Sequence, residues 1–344
     1  AVEMCNGMGA CRKLEGTMCP SYMATKDEEH STRGRANLLR AAMSGRLPEG
    51  TMTSRRMFDA LDLCLECKGC KLDCDSGVDM AKLKYEFLDH YFQVNGLPFR
   101  NKIFGHINRI NRLGSRFAPF SNWASNNPVG KFFAGAILGV HSDRSFPTFA
   151  RETLPKWFAG RKIPLSSPLV NEETVTVTAT DTVVLFNDTF MNYNYPQVGK
   201  AAVELLEAAG LNVVLANGGC CGRPMISKGM LDEASAHARE TVDLLYPYAE
   251  QGIPIIGCEP SCLLTFRDEY PELVKNEKSA KVAENSYMID EFLTMLAEKE
   301  ELKLGFKDTG KKILFHGHCH QKSLVGTDSS LAALRLPPGN QVEL

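Results

Sequence analysis

The cysteine run at residues 64–74 constrains this chain more than any other feature of its sequence. The run has the spacing C-x2-C-x2-C-x3-C and consists of Cys64, Cys67, Cys70 and Cys74. Two-residue gaps allow successive thiolates to reach successive corners of a cubane iron–sulfur cluster, which requires soft, anionic sulfur ligands. A four-cysteine zinc site uses paired C-x2-C knuckles instead of a triple run. The spacing therefore predicts a 4Fe-4S cluster, with zinc and structural disulfides as the alternatives.

A second group of cysteines precedes this run. Cys5, Cys11 and Cys19 are separated by five and seven residues, and Pro20 follows the last of them. In two-cluster ferredoxin folds the fourth cysteine of each run ligates the other cluster. Crosswise pairing then gives one complete ligand set: Cys64, Cys67, Cys70 and Cys19. The other set is Cys5, Cys11 and Cys74, with Met8 where a further cysteine is expected. That second cluster could contain three irons, contain four irons with a foreign ligand, or be absent.

Basic residues lie close in sequence to both groups of cysteines. They could offset the negative charge of thiolate-ligated iron, or they could form a solvated basic surface. The residues concerned are Arg12, Lys13, Arg33, Arg35, Lys68 and Lys71.

Length and charge exclude several classes of protein. The 344 residues are enough for two domains, and the net charge of −2 gives no electrostatic reason to expect nucleic acid as a partner. The N-terminal residues do not form a signal peptide, which argues against a secreted disulfide scaffold. The longest apolar stretch, 129–140, is interrupted by Lys131 and is too short to cross a bilayer. We expect a cytoplasmic protein without a transmembrane segment; peripheral association with the inner face of the membrane is compatible with this prediction.

The first half of the chain has helical patterns. Ser31 predicts the start of a helix that ends at Gly45, and residues 79–94 predict a second helix. Residues 96–175 are basic, aromatic and interrupted by prolines, which predicts short helices and a linker, with a hinge at 162–168. We expect the aromatic side chains of this connector to pack against its own helices; docking of a partner on the stretch 99–133 is the alternative. The aromatic residues concerned are Phe99, Phe104, Phe117, Phe120 and Trp123.

From about residue 180 strands alternate with helices. The predicted strands are 182–187, 211–216, 253–257 and 313–316, and the predicted helices between them are 196–209 and 228–250. This alternation predicts a parallel α/β sheet. We therefore expect a helical ferredoxin-type domain at 1–95, a helical connector at 96–175 and an α/β domain at 176–344. Cysteines follow three of the strands, where open α/β sheets form their sites: Cys220, Cys221, Cys258, Cys262 and Cys319.

The motifs around these cysteines resemble a known family. Gly219-Cys220-Cys221-Gly222, the segment CEPSC at 258–262 and HGHCHQK at 316–322 resemble the cysteine-rich CCG domain. That domain occurs in the heterodisulfide reductase B subunit, the glycolate oxidase iron–sulfur subunit and the anaerobic glycerol-3-phosphate dehydrogenase C subunit. Together with residues 5–40 and the run CLECKGCKLDC, the motifs are similar to the C-terminal iron–sulfur half of FAD-linked D-2-hydroxyacid oxidoreductases.

The resemblance implies a function in electron transfer. The chain would be an oxidoreductase component that passes electrons from FADH2, held in a partner or upstream domain, to a quinone or protein acceptor. The parent reaction would be oxidation of a D-2-hydroxyacid such as D-lactate, glycolate or D-2-hydroxyglutarate. No Gly-rich phosphate loop is present, so we expect no catalysis by this chain alone.

The resemblance also implies a site in the CCG domain. Its residues would be Cys220, Cys221, Cys262 and Cys319, and they would hold a cluster, zinc or redox-active thiols. CCG domains usually have two repeats, and the sequence stops where a second CCG motif would soon follow, so we expect a truncated second repeat.

Two other functions stay open at this stage. One is a thiol–disulfide reductase with the CCG-domain cysteines as its active site; the other is a zinc-bound interaction module without redox function. His318 and His320 flank Cys319 and could contact a metal or an anionic substrate, with a structural role as the alternative. Three residues after the first strand are candidates to line the same cleft: Asp188, Asn192 and Tyr193.

Overall fold

The N-terminal region of the protein is a small helical domain with the cysteines in its interior. A computed structural model of the chain describes residues 2–161, 181–216 and 219–344. The first helices pack around a core in which Met18, Met57 and Leu61 are fully buried together with several cysteines. These helices are α1 (Pro20–Thr25), α2 (Thr32–Met43), α3 (Arg55–Asp62), α4 (Gly69–Asp73) and α5 (Met80–Asn95).

Side-chain caps explain where the two longest of these helices begin. The hydroxyl of Ser31 accepts a 2.9 Å hydrogen bond from the backbone N–H of Gly34, which caps α2. A carboxylate oxygen of Asp79 accepts a 3.0 Å bond from the N–H of Lys82, which caps α5. Both predicted helices are therefore present.

The connector consists of short helices with an exposed aromatic surface. They are α6 (Phe99–Gly105), α7 (Ile107–Arg116), α8 (Phe120–Asn126), α9 (Pro128–Leu138) and α10 (Leu154–Gly160). The prediction that the aromatics pack against the connector is wrong for four of them, because their side chains are at least 60% exposed: Phe99, Phe117, Phe120 and Trp123. Within the described residues, no helix has the length and apolar character needed to span a membrane. The predicted hinge at 162–168 and the domain boundary after residue 175 lie outside the described residues.

A four-stranded parallel sheet forms the centre of the C-terminal region. Its strands are β1 (Thr182–Phe186), β2 (Asn212–Ala216), β3 (Ile255–Gly257) and β4 (Ser286–Met288), in the order β2-β1-β3-β4. Every residue of β1 is buried, because apolar clusters cover both faces of the sheet. The predicted fold class, a helical region followed by a parallel-sheet α/β region, is confirmed.

The helices around this sheet follow the alternation seen in the sequence. The predicted helices 196–209 and 228–250 correspond to α12 (Pro196–Ala208) and α14 (Leu231–Ala249). In chain order the helices are α11 (Thr189–Tyr193), α12 (Pro196–Ala208), α13 (Arg223–Ile226), α14 (Leu231–Ala249), α15 (Pro260–Asp268), α16 (Tyr270–Val274), α17 (Glu277–Glu284), α18 (Ile289–Glu298), α19 (Cys319–Leu324) and α20 (Asp328–Arg335).

One strand prediction requires a correction. The segment predicted as the fourth strand forms β5 (Lys312–Leu314), which pairs with β6 (Gln341–Glu343) in a separate two-stranded parallel sheet. The fourth strand of the main sheet is β4 instead, whose Ser286 and Tyr287 lie opposite Ile255 and Ile256. A three-residue strand with a polar first residue has no periodicity that a sequence pattern could detect.

Candidate metal centres

Four cysteines from two distant parts of the sequence line one small cavity. They are Cys19, Cys64, Cys67 and Cys70, and we call this cavity the four-cysteine site. Gly69 allows the two segments to approach, since a Cβ atom at residue 69 would lie only 2.8 Å from the carbonyl oxygen of Thr17. The structure thus brings together the set that crosswise pairing predicts as complete. Their role as iron ligands stays a prediction.

Two helices direct their N-terminal N–H groups at sulfurs of this site. Thr32, the first residue of α2, donates a 3.0 Å bond to Sγ of Cys19, and Met80, the first residue of α5, donates a 3.3 Å bond to Sγ of Cys70. The positive end of a helix dipole stabilises a thiolate. Burial nevertheless raises the pKa of the Cys70 thiol to about 12. Ionised sulfur in this position therefore needs a further positive partner, and a coordinating metal is such a partner.

A buried arginine beside the four-cysteine site also requires a counter-charge. Arg35 lines the cavity, is 1% exposed and donates hydrogen bonds to the carbonyl oxygens of Ala60 (2.9 Å) and His30 (2.6 Å). Across the described ranges no carboxylate lies within ion-pair distance of it. A buried cation is costly unless an anion compensates it, and a thiolate-ligated cluster is anionic. The donor set and this cation both fit a 4Fe-4S cluster.

Three of the other basic residues near the cysteines divide into two groups. Arg12 and Lys13 form partly exposed ion pairs with Glu28 and Asp73, as expected of a surface. Lys68 is as buried as Arg35 but pairs with acidic residues of the C-terminal region.

The second predicted set of cysteines lines a separate cavity, which we call the three-cysteine site. Cys5, Cys11 and Cys74 surround it together with Met8 and Asp75. Met8 is 66% exposed at its edge. Asp75, which directly follows Cys74, is the acidic residue that lines this cavity.

The two N-terminal sites are neighbours. The neighbouring thiol of Cys19 lowers the pKa of Cys11 to about 6, and the thiol of Cys11 raises the pKa of Cys19. Thr32 lines both cavities. A short separation of this kind suits two redox groups that exchange electrons.

In the C-terminal region three of the predicted site cysteines cluster beside the sheet. The sulfurs of Cys221 and Cys262 are 3.0 Å apart and belong to free thiols. Cys220 lies next to them, and the neighbouring thiol of Cys221, together with His237, lowers the pKa of Cys220 to about 4. The imidazole of His237 also lies 3.0 Å from the carbonyl oxygen of Cys220. His237 lies on α14 outside every cysteine motif, so no sequence pattern pointed to it.

The other two C-terminal cysteines have different surroundings. Cys258 packs against the apolar cluster that contains Ile256 and Phe292, whereas Cys221 and Cys262 belong to the cluster on the other face of the sheet. Cys319 is exposed at the start of α19. In the parts of the chain that the structure describes, no three His, Cys, Asp or Glu side chains converge on a position for a single metal ion.

The two histidines beside Cys319 have structural contacts. Nδ1 of His318 accepts a 3.2 Å bond from the N–H of His320 and caps α19. The ring of His320 is buried and its Nε2 lies 2.9 Å from the carbonyl oxygen of Glu66. Burial, together with the charge of Arg223, lowers the pKa of His320 to about 4, so this histidine is neutral near pH 7.

These contacts belong to an interface between the N-terminal and C-terminal regions. Helix α19 packs on α4, and the ammonium group of the buried Lys68 lies 3.1 Å from both Asp79 and Glu269. The guanidinium of Arg223 lies 3.2 Å from Glu269 and 3.5 Å from Glu66. The C-terminal region thereby holds the cysteine loop of the four-cysteine site in place.

A cleft of about 740 Å³ opens at this interface. Cys64 and Cys67 line it on the N-terminal side, and Cys262 and Cys319 line it on the C-terminal side. We call it the interdomain cleft. The three polar candidates after β1 do not line it: Asp188 caps α11, and the cleft residue of that segment is Phe190.

Comparison with known proteins agrees with this arrangement. The family described as "4Fe-4S dicluster domain" matches residues 1–78, and the family described as "Cysteine-rich domain" matches residues 184–267. The chain therefore contains a segment that matches a dicluster iron–sulfur domain, followed by a segment that matches a cysteine-rich CCG domain. The match to the 4Fe-4S dicluster domain confirms the predicted 4Fe-4S cofactor.

The most similar proteins include three from Escherichia coli K12. The chain is 25% identical to D-2-hydroxyglutarate dehydrogenase over 98% of its own length and 36% of that protein. It is 27% identical to the C subunit of anaerobic glycerol-3-phosphate dehydrogenase over 70% of its length and 58% of that protein. It is 25% identical to the glycolate oxidase iron-sulfur subunit over 90% of its length and 70% of that protein. No solved structure matches the chain.

These matches confirm the resemblance stated from the sequence motifs. The chain spans about a third of D-2-hydroxyglutarate dehydrogenase and more than half of the glycerol-3-phosphate dehydrogenase component. The activity and partners of a complete relative are therefore proposals for this chain.

Proposed function

We propose that this chain is the electron-transfer module of a flavin-linked D-2-hydroxyacid dehydrogenase. It accepts electrons from FADH2 held in a partner or upstream domain and delivers them to a quinone or protein acceptor. The substrate class is that of D-lactate, glycolate and D-2-hydroxyglutarate. The similarity to D-2-hydroxyglutarate dehydrogenase over nearly the whole chain supports this substrate class.

One structural observation carries the electron-transfer part of the proposal. The four-cysteine site and the three-cysteine site are adjacent, because Thr32 lines both cavities and two successive N–H groups serve one sulfur of each. The N–H of Thr32 donates a 3.0 Å bond to Sγ of Cys19, and the N–H of Arg33 donates a 3.3 Å bond to Sγ of Cys11. Clusters supply one-electron transfer without proton chemistry when they are bound. The chain then determines their spacing, their exposure and their surrounding charge.

Individual residues have assignable roles in this proposal. We assign Cys19, Cys64, Cys67 and Cys70 as ligands of one cluster, and Cys5, Cys11 and Cys74 as ligands of a second. Arg35 supplies a positive charge beside the first cluster, and the N–H groups of Thr32 and Met80 donate to its sulfurs. Hydrogen bonds to cluster sulfurs and local charge determine the reduction potential.

Anaerobic reduction by a flavin partner tests the proposal. The purified, iron-loaded chain is mixed under argon with the flavin domain of a D-2-hydroxyacid dehydrogenase and D-2-hydroxyglutarate. We expect the visible absorption of the clusters to bleach, and omission of either the flavin domain or the substrate to prevent bleaching. Bleaching by dithionite without bleaching by the flavin system would contradict the assigned partner.

A second candidate function rests on the C-terminal cysteines. The 3.0 Å separation of the Cys221 and Cys262 sulfurs would permit a disulfide after a small movement, since a disulfide bond is about 2.05 Å long. A thiol–disulfide reductase would form this bond as it reduces a disulfide substrate. Mass spectrometry of the alkylated protein tests this function, which predicts that oxidised glutathione protects both thiols and is reduced in equal amount.

A further inference from the structure

The interdomain cleft has the size and position of a small-molecule site. Its volume of about 740 Å³ lies within the range of about 300–1,000 Å³ that is usual for ligand pockets, which often form between domains. Residues of the cysteine loop, the connector and the CCG domain all contribute to its wall. The proposed function assigns no ligand to this space.

The charge of the cleft wall is unbalanced. Four cations line it, but only two acidic residues, Glu66 and Glu259, do so. Glu66 lies 3.5 Å from both Lys84 and Arg223 and so is already shared by two cations. The carboxylate of Glu259 accepts a hydrogen bond from the N–H of Cys262 and caps α15.

The other two cations, Arg100 and Lys228, have no carboxylate within ion-pair distance among the described residues. The guanidinium of Arg100 faces the ring of Phe104, with its carbon 5.7 Å from the ring centroid. Lys228 is half-buried, and burial lowers the pKa of its ammonium group. An anion in the cleft would compensate both charges.

The rest of the wall includes a substantial apolar surface. Leu65 comes from the cysteine loop, Phe104 and Ile107 from the connector, and Phe190 from the start of α11. A hydrated inorganic anion gains nothing from such a surface, whereas an apolar or aromatic body does. The cleft therefore suits a ligand that has both a negative charge and an apolar body.

We propose that the interdomain cleft binds an organic anion in which a carboxylate is attached to an apolar or aromatic body. Arg100 and Lys228 hold the carboxylate, and the apolar wall holds the body. Because Cys64 and Cys67 line the same cleft, the ligand lies at the edge of the four-cysteine site. The cleft is thus the point at which a small molecule can reach the cluster region.

Titration of the iron-loaded protein with 2-naphthoate tests the charge requirement. We expect saturable binding of one molecule per chain and at least tenfold weaker binding of the neutral isostere 2-naphthamide. The double variant Arg100→Met/Lys228→Met should bind 2-naphthoate at least tenfold more weakly. Lys102→Met, an exposed lysine on the same helix as Arg100, is the matched control and should bind like the unmodified protein.

A charge-preserving variant separates binding from folding. Arg100→Lys/Lys228→Arg should retain binding within a few-fold, so a loss in the methionine variant alone identifies the charge as the cause. Equal affinity for 2-naphthamide, unchanged binding in the methionine variant, or equally effective competition by inorganic phosphate would each overturn the proposal.

Paramagnetic relaxation tests the location of the ligand. With 6-fluoro-2-naphthoate, reduction of the protein by dithionite should broaden the ¹⁹F resonance of the bound ligand, and excess 2-naphthoate should reverse the effect. Bound ligand without broadening, in protein whose iron is confirmed, would place the site elsewhere and overturn the proposal. Failure of the flavin partner to reduce the protein would leave these results unchanged, so the two proposals fail separately.

Discussion

The hydroxyl of Ser323 donates a 3.0 Å hydrogen bond to the carbonyl oxygen of Cys67. A residue of the CCG domain therefore fixes the backbone of a cysteine in the N-terminal domain. His320 makes a comparable contact with the carbonyl oxygen of Glu66 at 2.9 Å. The two regions consequently share one site, and changes at the interface should affect the stability of both.

The first prediction concerns the buried ammonium group of this interface. Lys68→Met removes the buried ammonium group that contacts Asp79, Asp268 and Glu269, and leaves Lys71 as the partner of Asp268 and Arg223 as the partner of Glu269. We expect the free energy of unfolding to fall by about 3–5 kcal/mol, the usual cost of removing one partner of a buried ion pair. Circular dichroism during chemical unfolding of the anaerobic, iron-loaded protein measures this free energy. Lys278→Met removes an exposed pair with Asp243 and should have a much smaller effect, because solvent screens that pair. Equal effects would show that Lys68 does not stabilise the interface.

The second prediction concerns metal content. Protein purified without oxygen should be brown and hold at least about four irons and four acid-labile sulfides per chain, the content of one cubane cluster. We expect this content because the four-cysteine site offers a complete set of four cysteine ligands. Iron and sulfide assays measure this content directly. A colourless protein with zinc and no labile sulfide would exclude the whole iron–sulfur interpretation.

The third prediction distinguishes ligand cysteines from a packing cysteine. Cys67→Ser should remove about four irons per chain and destabilise the N-terminal domain, because metal binding contributes to folding free energy. Cys258→Ser should keep all iron, since Cys258 packs against Ile256 and Phe292. Iron analysis of the two purified variants provides the comparison. Equal iron loss in both would refute the ligand assignment.

The fourth prediction concerns the charge of Arg35. Arg35→Met removes the buried cation beside the four-cysteine site, which makes reduction of the cluster less favourable. We expect the reduction potential to become more negative by roughly 60 mV, the one-electron equivalent of a tenfold change in equilibrium constant. An anaerobic redox titration monitored by electron paramagnetic resonance measures the reduction potential. Arg35→Lys keeps the charge and should restore most of the potential; an unchanged potential in Arg35→Met would contradict the role of the charge.

Local features of the site could be predicted from the sequence. A cluster requires a particular spacing of its cysteines, so the set of Cys19, Cys64, Cys67 and Cys70 could be predicted from the sequence. The helix caps formed by Ser31 and Asp79 join residues three positions apart, so a local sequence pattern can also indicate them. Strand β1 is apolar throughout, because it is buried on both faces.

Features that depend on distant residues could not be predicted. The contact of Lys68 with Asp268 joins positions 200 residues apart. Lys68 lies within the cysteine run, but Asp268 belongs to no motif that would connect the two. The interdomain cleft arises only when three parts of the chain meet, and β4 is too short for its pattern to be recognised. The exposure of Phe120 and Trp123 also contradicts the ordinary expectation for large aromatic side chains.

The last prediction is that this chain by itself does not oxidise a D-2-hydroxyacid. Cysteines suited to electron transfer dominate its described sites, and the chain aligns with only 36% of D-2-hydroxyglutarate dehydrogenase. Incubation of the iron-loaded chain with D-lactate, glycolate or D-2-hydroxyglutarate and an artificial electron acceptor should therefore give no product above the protein-free control. Reduction of the same acceptor by the dithionite-reduced chain is the positive control, because it shows that the clusters are competent. Product formation by the isolated chain would place hydride chemistry within these 344 residues and refute the assignment of catalysis to a flavin partner.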